Sequence, residues 1–280
     1  MTNFGNKLKI ILPLIVILLI IMHFIFKQKK VEPIYSNTLL ELLKKDEFKF
    51  IAHAAGGIED KIYTNSLEAI NNSIKNGFKL IEIDLYETKD KIFVGIHDWK
   101  SFKEKANLKI LDKEKLNYSE IKETKLYKKY TPLDVFKIND IFQKNKDIYL
   151  VTDKTQNFQK IINDFEFSKE RILVEVFGKK NFYKSVKEGI LNPIYSFSHK
   201  DLDFVLSNKI KIVAAHTENI VKNPKIYKTL MDNDIFIFAY TSNNETFIKK
   251  NLGINFSNIY TDFWNIKEMK CTSNKNCNTY

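Results

Sequence analysis

The sequence predicts an α/β protein, a (β/α)8 TIM-type barrel with an N-terminal transmembrane helix. Three observations predict it. From Phe48 onward, short apolar runs alternate with stretches of helical spacing, and eight of the runs read as strands once a hairpin return is set aside. His53, Glu82, Asp84, Asp153, Glu175, His216 and Asp262 fall at or near the C-terminal ends of these runs, where barrel enzymes place their chemistry. Leu8 to Phe26 is strongly apolar, broken only by Lys9, Pro13 and His23. The expected organisation is an anchor over residues 1–30, a linker over 31–47, the barrel over 48–266 and a tail over 267–280.

The anchor comes first. Residues 10–26 would span roughly 25 Å as a helix, enough for a bilayer if flanking lysines snorkel. No small-residue cleavage site follows between His23 and Pro33, so an uncleaved single-pass anchor is expected. Lysines flank both ends, so the positive-inside rule separates the two orientations poorly and leans weakly towards a cytoplasmic C-terminal domain. Cys271 and Cys277 lie close together in a polar tail, and a disulfide there suits an oxidising compartment, so an exported catalytic domain is the expectation.

The linker carries a short helix, Thr38 to Lys45. A first strand then ends at His53, followed by Gly56 and Gly57. Ser66 opens a helix with Leu67, Ile70 and Ile74 at helical spacing, and Gly77 stops it. Next comes Leu80–Leu85, in which Glu82 and Asp84 alternate with Ile81, Ile83 and Leu85. Residues two apart share one face of a strand. Two carboxylates side by side repel unless a positive group lies between them, and oxygen ligands suit Mg²⁺ or Ca²⁺.

A second apolar run, Ile92 to Ile96, leads into His97-Asp98. The gap is too short for a parallel crossover. A hairpin turning at Lys89-Asp90 fits, and that register sets Glu82 opposite His97. His53 and His97 then bracket the acidic pair. Histidine titrates near neutral pH, so these two are the candidate proton-transfer pair, with Asp98 either orienting His97 or capping the hairpin end. Trp99 either paves the pocket or lies under the hairpin.

Lys100 to Lys129 is lysine-rich and weakly patterned. Thr131-Pro132 opens a helix running through Phe142. Six more strands are expected at Ile148–Asp153, Arg171–Phe177, Pro193–Phe197, Lys209–Ala215, Ile235–Tyr240 and Asn258–Asp262. Helices fall between them at Asn157–Phe165, Asn181–Glu188, Lys200–Leu206, Pro224–Asn233 and Glu245–Asn251. Glu175 and His216 each lie near a strand end, as substrate contacts in the barrel mouth or as satisfied buried residues.

The net charge of +11 comes almost wholly from lysine, since Arg171 is the one arginine. Such a surface suits anionic lipids or phosphorylated substrates, or is a solvated coat. Without arginine clusters or basic–aromatic interleaving, no nucleic-acid partner is expected. Oligomeric state is not legible.

His53-x-x-Gly56, Asn65-Ser66-Leu67-Glu68-Ala69, Glu82-Ile83-Asp84, Thr88-Lys89-Asp90 and His97-Asp98 occur in this order. The set resembles the glycerophosphodiester phosphodiesterase family, within a wider group of phospholipase-C-like phosphodiesterases. The resemblance covers about fifty residues strongly and the rest of the barrel weakly. It implies hydrolysis of a small or lipid-derived glycerol phosphodiester, one divalent cation held by Glu82, Asp84 and Asp153, and acid–base work by His53 and His97. It brings Asn65 among the substrate-contacting residues. Three positions depart from it. The family has His-Arg where this chain has His53-Ala54, so one phosphate contact is missing. Thr64-Asn65-Ser66 stands for Glu-Asn-Thr. Asp153-Lys154 stands for Glu-x-Lys, which puts Lys154 out of register and reads it as a surface lysine unless the strand bulges. Asp262 matches the family's Thr-Asp in the last strand and reads as structural. Two alternatives stay open: a phosphodiesterase whose substrate's own hydroxyl attacks to give a cyclic phosphate, and a non-catalytic, membrane-tethered binding module.

Overall fold

Eight of the apolar runs become parallel strands that close on themselves in the computed structural model, which describes residues 32–108, 115–273 and 275–278. They are β1 (Phe50–Ala52), β2 (Leu80–Glu87), β4 (Tyr149–Asp153), β5 (Ile172–Val176), β6 (Pro193–Ser196), β7 (Ile212–His216), β8 (Phe236–Tyr240) and β9 (Asn258–Thr261). Each pairs with the next, and β1 pairs with both β2 and β9, which closes the barrel. β3 (Phe93–Gly95) is the hairpin return, antiparallel to β2. The described residues from Pro33 onward form one compact unit.

The period of two sorts the strand residues into two cores. Ile51, Leu80, Val151, Leu173, Ile194, Ile212, Phe238 and Tyr260 point inward and fill the barrel. Their neighbours Ala52, Ile81, Leu150, Val174, Val213, Ile237 and Ile259 point outward beneath the helices. The same parity carried to the strand tops turns Glu82, Asp84, Asp153, Glu175, His216 and Tyr240 inward. Buried aliphatic layers below and polar side chains above are the usual division of a barrel.

The helices keep the expected order: Glu245–Asn251 has the expected ends, Phe158–Asp164 is one residue shorter at each end, and Pro224–Asp232 is one residue shorter at its C-terminal end. Three expectations are corrected. The stretch read as a linker packs onto the barrel: its expected short helix is present at Asn37–Leu42, and Leu39 and Leu43, with Phe48 just after, join the inner core. The helix expected from Thr131 starts at Val135, because the Asp134 side chain accepts from the Lys137 N–H and caps it. The hairpin pairs Leu85 with Gly95 and Glu87 with Phe93, one residue off the expected register. Lys91 at φ 66° adds a left-handed residue to the turn, as three-residue hairpin loops do. Pairing ends at Gly95, so His97 lies beyond the ladder and not opposite Glu82 within it.

Residues 1–31, where the anchor is expected, lie outside the described residues. Among those described, no helix is long and apolar enough to cross a membrane. Cys271 and Cys277 are joined by a disulfide, Cα to Cα 5.6 Å.

Candidate active site

The C-terminal ends of the strands surround a cleft of about 490 Å³ lined by His53, Glu82, Asp84, His97, Asp153, Lys154, Glu175 and His216, together with Tyr63, Tyr240, Tyr260 and their neighbours. Seven of the nine residues singled out as candidates above are thus gathered in one place.

Glu82, Asp84 and Asp153 form its acidic centre. One carboxylate oxygen from each lies within 4.8 Å of the others. β2 and β4 pair in a register that sets Asp84 beside Asp153, so the cluster follows from strand parity alone. Glu82 accepts a 2.6 Å hydrogen bond from the Ala54 N–H. Burial, then the charges of Asp84 and Asp153, push Glu82 well above the ordinary carboxylate range. Burial first and Asp84 second push Asp153 up to about 6. Its Oδ1 is buried with no partner. Three crowded hard-oxygen donors, one of them orphaned, fit a divalent cation.

Asn65 belongs to this centre as a support, which corrects its reading as a substrate contact. Its Nδ2 donates to Asp84 Oδ2 at 2.9 Å, and its Oδ1 accepts from the Asp84 N–H at 3.1 Å. With both ends engaged and the residue buried, it holds Asp84 in place and is not among the cleft residues. For Trp99, of the two readings the one under the hairpin holds. It is buried beside Val94, Ile96 and Phe102, under the hairpin and off the cleft.

Lys154 reverses its reading as a surface lysine. At φ 64° it leaves strand geometry, so it does not point away from Asp153 as the next strand residue would. Its Nζ lies 3.0 Å from Asp153 Oδ2 and 3.4 Å from Asp84 Oδ1. Partial burial disfavours its charge, but Asp153 and Asp84 outweigh this and hold the ammonium firmly protonated.

Two of the cleft histidines, His53 and His97, have a carboxylate behind them. His53 Nδ1 is 3.0 Å from Asp262 Oδ1, and Asp262 Oδ2 accepts from Asn243 Nδ2 at 2.7 Å. Burial works against a charged His53, but Asp262, aided by Asp84 and Asp153, raises its pKa on balance. Asp262 therefore positions an imidazole and is not merely structural. β1 and β9 align Ala52 with Thr261, so the next pair along is His53 and Asp262. His97 Nδ1 is 3.1 Å from Asp98 Oδ2, while Asp98 Oδ1 accepts from the Ser101 N–H at 2.8 Å. Asp98 thus orients His97 and caps the helix Trp99–Lys105 at once. Burial would raise Asp98, but these bonds hold it down at about 2.

Tyr63 is a residue the sequence did not reveal. Its ring meets His53 at 4.6 Å and His97 at 4.5 Å between centroids, both edge-on, so one ring touches both histidines. It sits at φ 53° and Lys105 Nζ donates to its carbonyl at 2.7 Å.

Glu175 is buried, and burial then Asp153 push it up to about 8. His216 caps the helix Thr217–Lys222, its Nδ1 accepting from the Glu218 N–H at 3.2 Å.

A barrel with a carboxylate cluster, an ammonium and two carboxylate-backed imidazoles in one mouth defines the class of phosphoric diester hydrolases, and the comparisons agree. The model of the glycerophosphoryl diester phosphodiesterase family matches residues 57–190, just under half of the chain. β1, His53 and strands β6 to β9 lie outside that match. No curated protein matches the sequence. Among solved structures, a glycerophosphodiester phosphodiesterase from Parabacteroides distasonis is 16% identical, TM-score 0.62, over 80% of this chain and 96% of that one. One from Thermotoga maritima is 18% identical, TM-score 0.57, over 77% and 94%. An Oleispira antarctica phosphodiesterase, solved with the product sn-glycerol-3-phosphate, is 16% identical, TM-score 0.58, over 78% and 94%. At these identities the likeness is one of fold.

Proposed function

We propose that this protein hydrolyses a glycerophosphodiester to sn-glycerol 3-phosphate and an alcohol. The observation that carries the reading is the pair of carboxylate-backed imidazoles, His53 with Asp262 and His97 with Asp98, touching one tyrosine in the cleft that holds Glu82, Asp84 and Asp153. A binding module has no use for two such dyads.

Glu82, Asp84 and Asp153 would hold one Mg²⁺ or Ca²⁺. Bound there, the cation would supply charge neutralisation at a non-bridging phosphate oxygen. Lys154 offers a second positive charge to the phosphate, and its position supports its standing in for the arginine absent at Ala54. With Nδ1 of each imidazole engaged by a carboxylate, Nε2 is the atom left to move protons. One histidine takes the proton of the attacking water and the other delivers one to the departing alkoxide oxygen. Asp262 and Asp98 stabilise whichever imidazole is cationic. Asn65 and the Ala54 N–H keep Asp84 and Glu82 aimed.

The membrane anchor over residues 10–26 and an exported catalytic domain belong to the same reading, and the Cys271–Cys277 disulfide supports export.

Product analysis tests the reaction. The purified chain, given a glycerophosphodiester and a divalent cation in isotope-labelled water, should release sn-glycerol 3-phosphate with one solvent oxygen on phosphorus. A released cyclic glycerol phosphate, or no turnover of any diester, contradicts it.

A further inference from the structure

Tyr63 lies in the loop between β1 and the helix Leu67–Lys75, where it lines the cleft and its ring stands steeply against both His53 and His97. The loop is held there against its own preference. Ala54, Ala55, Glu59, Tyr63 and Asn65 all take left-handed φ, Tyr63 at 53°. That region is unfavourable for a bulky side chain, and it persists where the surroundings over-determine it, most often at functional sites. Here the Asn65 N–H donates to the Ala54 carbonyl at 3.1 Å. Lys105 Nζ donates to the Tyr63 carbonyl and lies 5.8 Å from the centre of its ring. Lys105 ends the helix that Asp98 caps, so the element that orients His97 also clamps Tyr63. A phenylalanine would make the same ring contacts, so the hydroxyl needs its own account. It makes no hydrogen bond among the described residues. Burial, then the charges of Asp262, Asp84 and Glu82, push it up to about 12, so it faces the acidic centre as a neutral O–H donor. The cleft is short of such donors. Its side chains include the carboxylates Glu82, Asp84, Asp153, Glu175 and Glu218 but one ammonium, Lys154, which Asp153 and Asp84 already share.

We propose that Tyr63 is a further catalytic residue, whose hydroxyl donates a hydrogen bond to a non-bridging oxygen of the bound phosphodiester between the two imidazoles. The proposal rests on the phosphodiesterase reading and adds a residue to it. The ring sets the spacing of the histidines on either side, and the O–H meets the phosphate they flank. The phenol moves no proton. It stabilises negative charge on the oxygen that accepts from it, as a fixed donor aimed at a reacting phosphate does. A phosphodiester carries two non-bridging oxygens, so one is left for Tyr63 when the other lies by the acidic centre.

The test is Tyr63→Phe, which keeps the ring and removes the hydroxyl. Steady-state rates on a glycerophosphodiester are compared with wild type, together with the melting temperature and the affinity for Mg²⁺. The expected result is a fall of about 10–100-fold in kcat/KM, the size of a lost hydrogen bond to a charged group, at unchanged melting temperature and Mg²⁺ affinity. An unchanged kcat/KM overturns the contact and leaves the ring as packing. Sulfur substitution separates contact from packing. In the Rp and Sp phosphorothioate forms of the diester, sulfur replaces one non-bridging oxygen or the other and accepts hydrogen bonds weakly. Tyr63→Phe should cost its full factor on the oxygen ester and on one isomer, and far less on the isomer that sets sulfur against the phenol. An equal loss on all three substrates points to displaced imidazoles and overturns the contact. Turnover by wild type that Tyr63→Phe matches removes this contact alone, whereas no turnover of any diester by wild type removes the phosphodiesterase reading with it.

Discussion

At the scale of the residue, the two histidines differ in setting. His53 is buried against Asp262, whereas His97 is more open against Asp98. Loss of either as His→Ala should lower kcat on a natural diester by about 10²–10⁴-fold. A nitrophenyl ester separates their roles: its leaving group needs little protonation, so the variant lacking the acid should recover most of its rate there. Near-normal rates in both variants would refute the proton-transfer pair. Glu175 gives a test of stability. Its pKa rises from 4.5 to about 8 on folding, so the native state binds the extra proton between those values. The stability this contributes is present below the lower value and lost as pH rises through the upper one. In EDTA, Glu175→Gln should therefore melt above wild type at about pH 9, the gap closing towards about pH 5. A pH-independent gap would show that Glu175 is not buried as described.

At the scale of the element, much of the site was legible because parity is a local rule. Glu82 and Asp84 two apart, and Asp153 at the end of its run, needed only the strand period. What escaped depended on left-handed residues that the sequence does not mark. Lys91 shifts the hairpin by one, Lys154 swings an out-of-register lysine into the cleft, and Tyr63 sits in a loop with Glu59 and Asn65 also left-handed. Glycine would have signalled such turns, and lysine and tyrosine do not. Asp98 joins an element to the chemistry, since one oxygen caps the helix and the other faces His97. Asp98→Ala should cost about 1 kcal/mol of stability as well as activity. Asp98→Asn should keep most of the stability, since asparagine caps as well as aspartate, yet still lower kcat. Equal stability losses in the two variants would argue against the cap.

At the scale of the whole molecule, the eight strands and the barrel could be read from the runs, but which side chains closure sets side by side could not. Asp262 reads as structural until β9 meets β1, and only then does it stand behind His53. The proposed anchor predicts that the intact chain fractionates with membranes and that a chain lacking residues 1–31 does not. It also predicts that Cys271 and Cys277 resist maleimide labelling until reduced, because an exported tail keeps its disulfide. A soluble full-length chain with both thiols reactive would contradict that placement. The central claim is that a divalent cation on Glu82, Asp84 and Asp153 and two histidines cleave the diester together. The most direct measurement is turnover of a glycerophosphodiester after chelation and after Mg²⁺ or Ca²⁺ is added back, in wild type and Asp84→Asn. The account predicts loss on chelation, recovery in wild type, and recovery at least about 10²-fold poorer in the variant. Full turnover in metal-free buffer would contradict it.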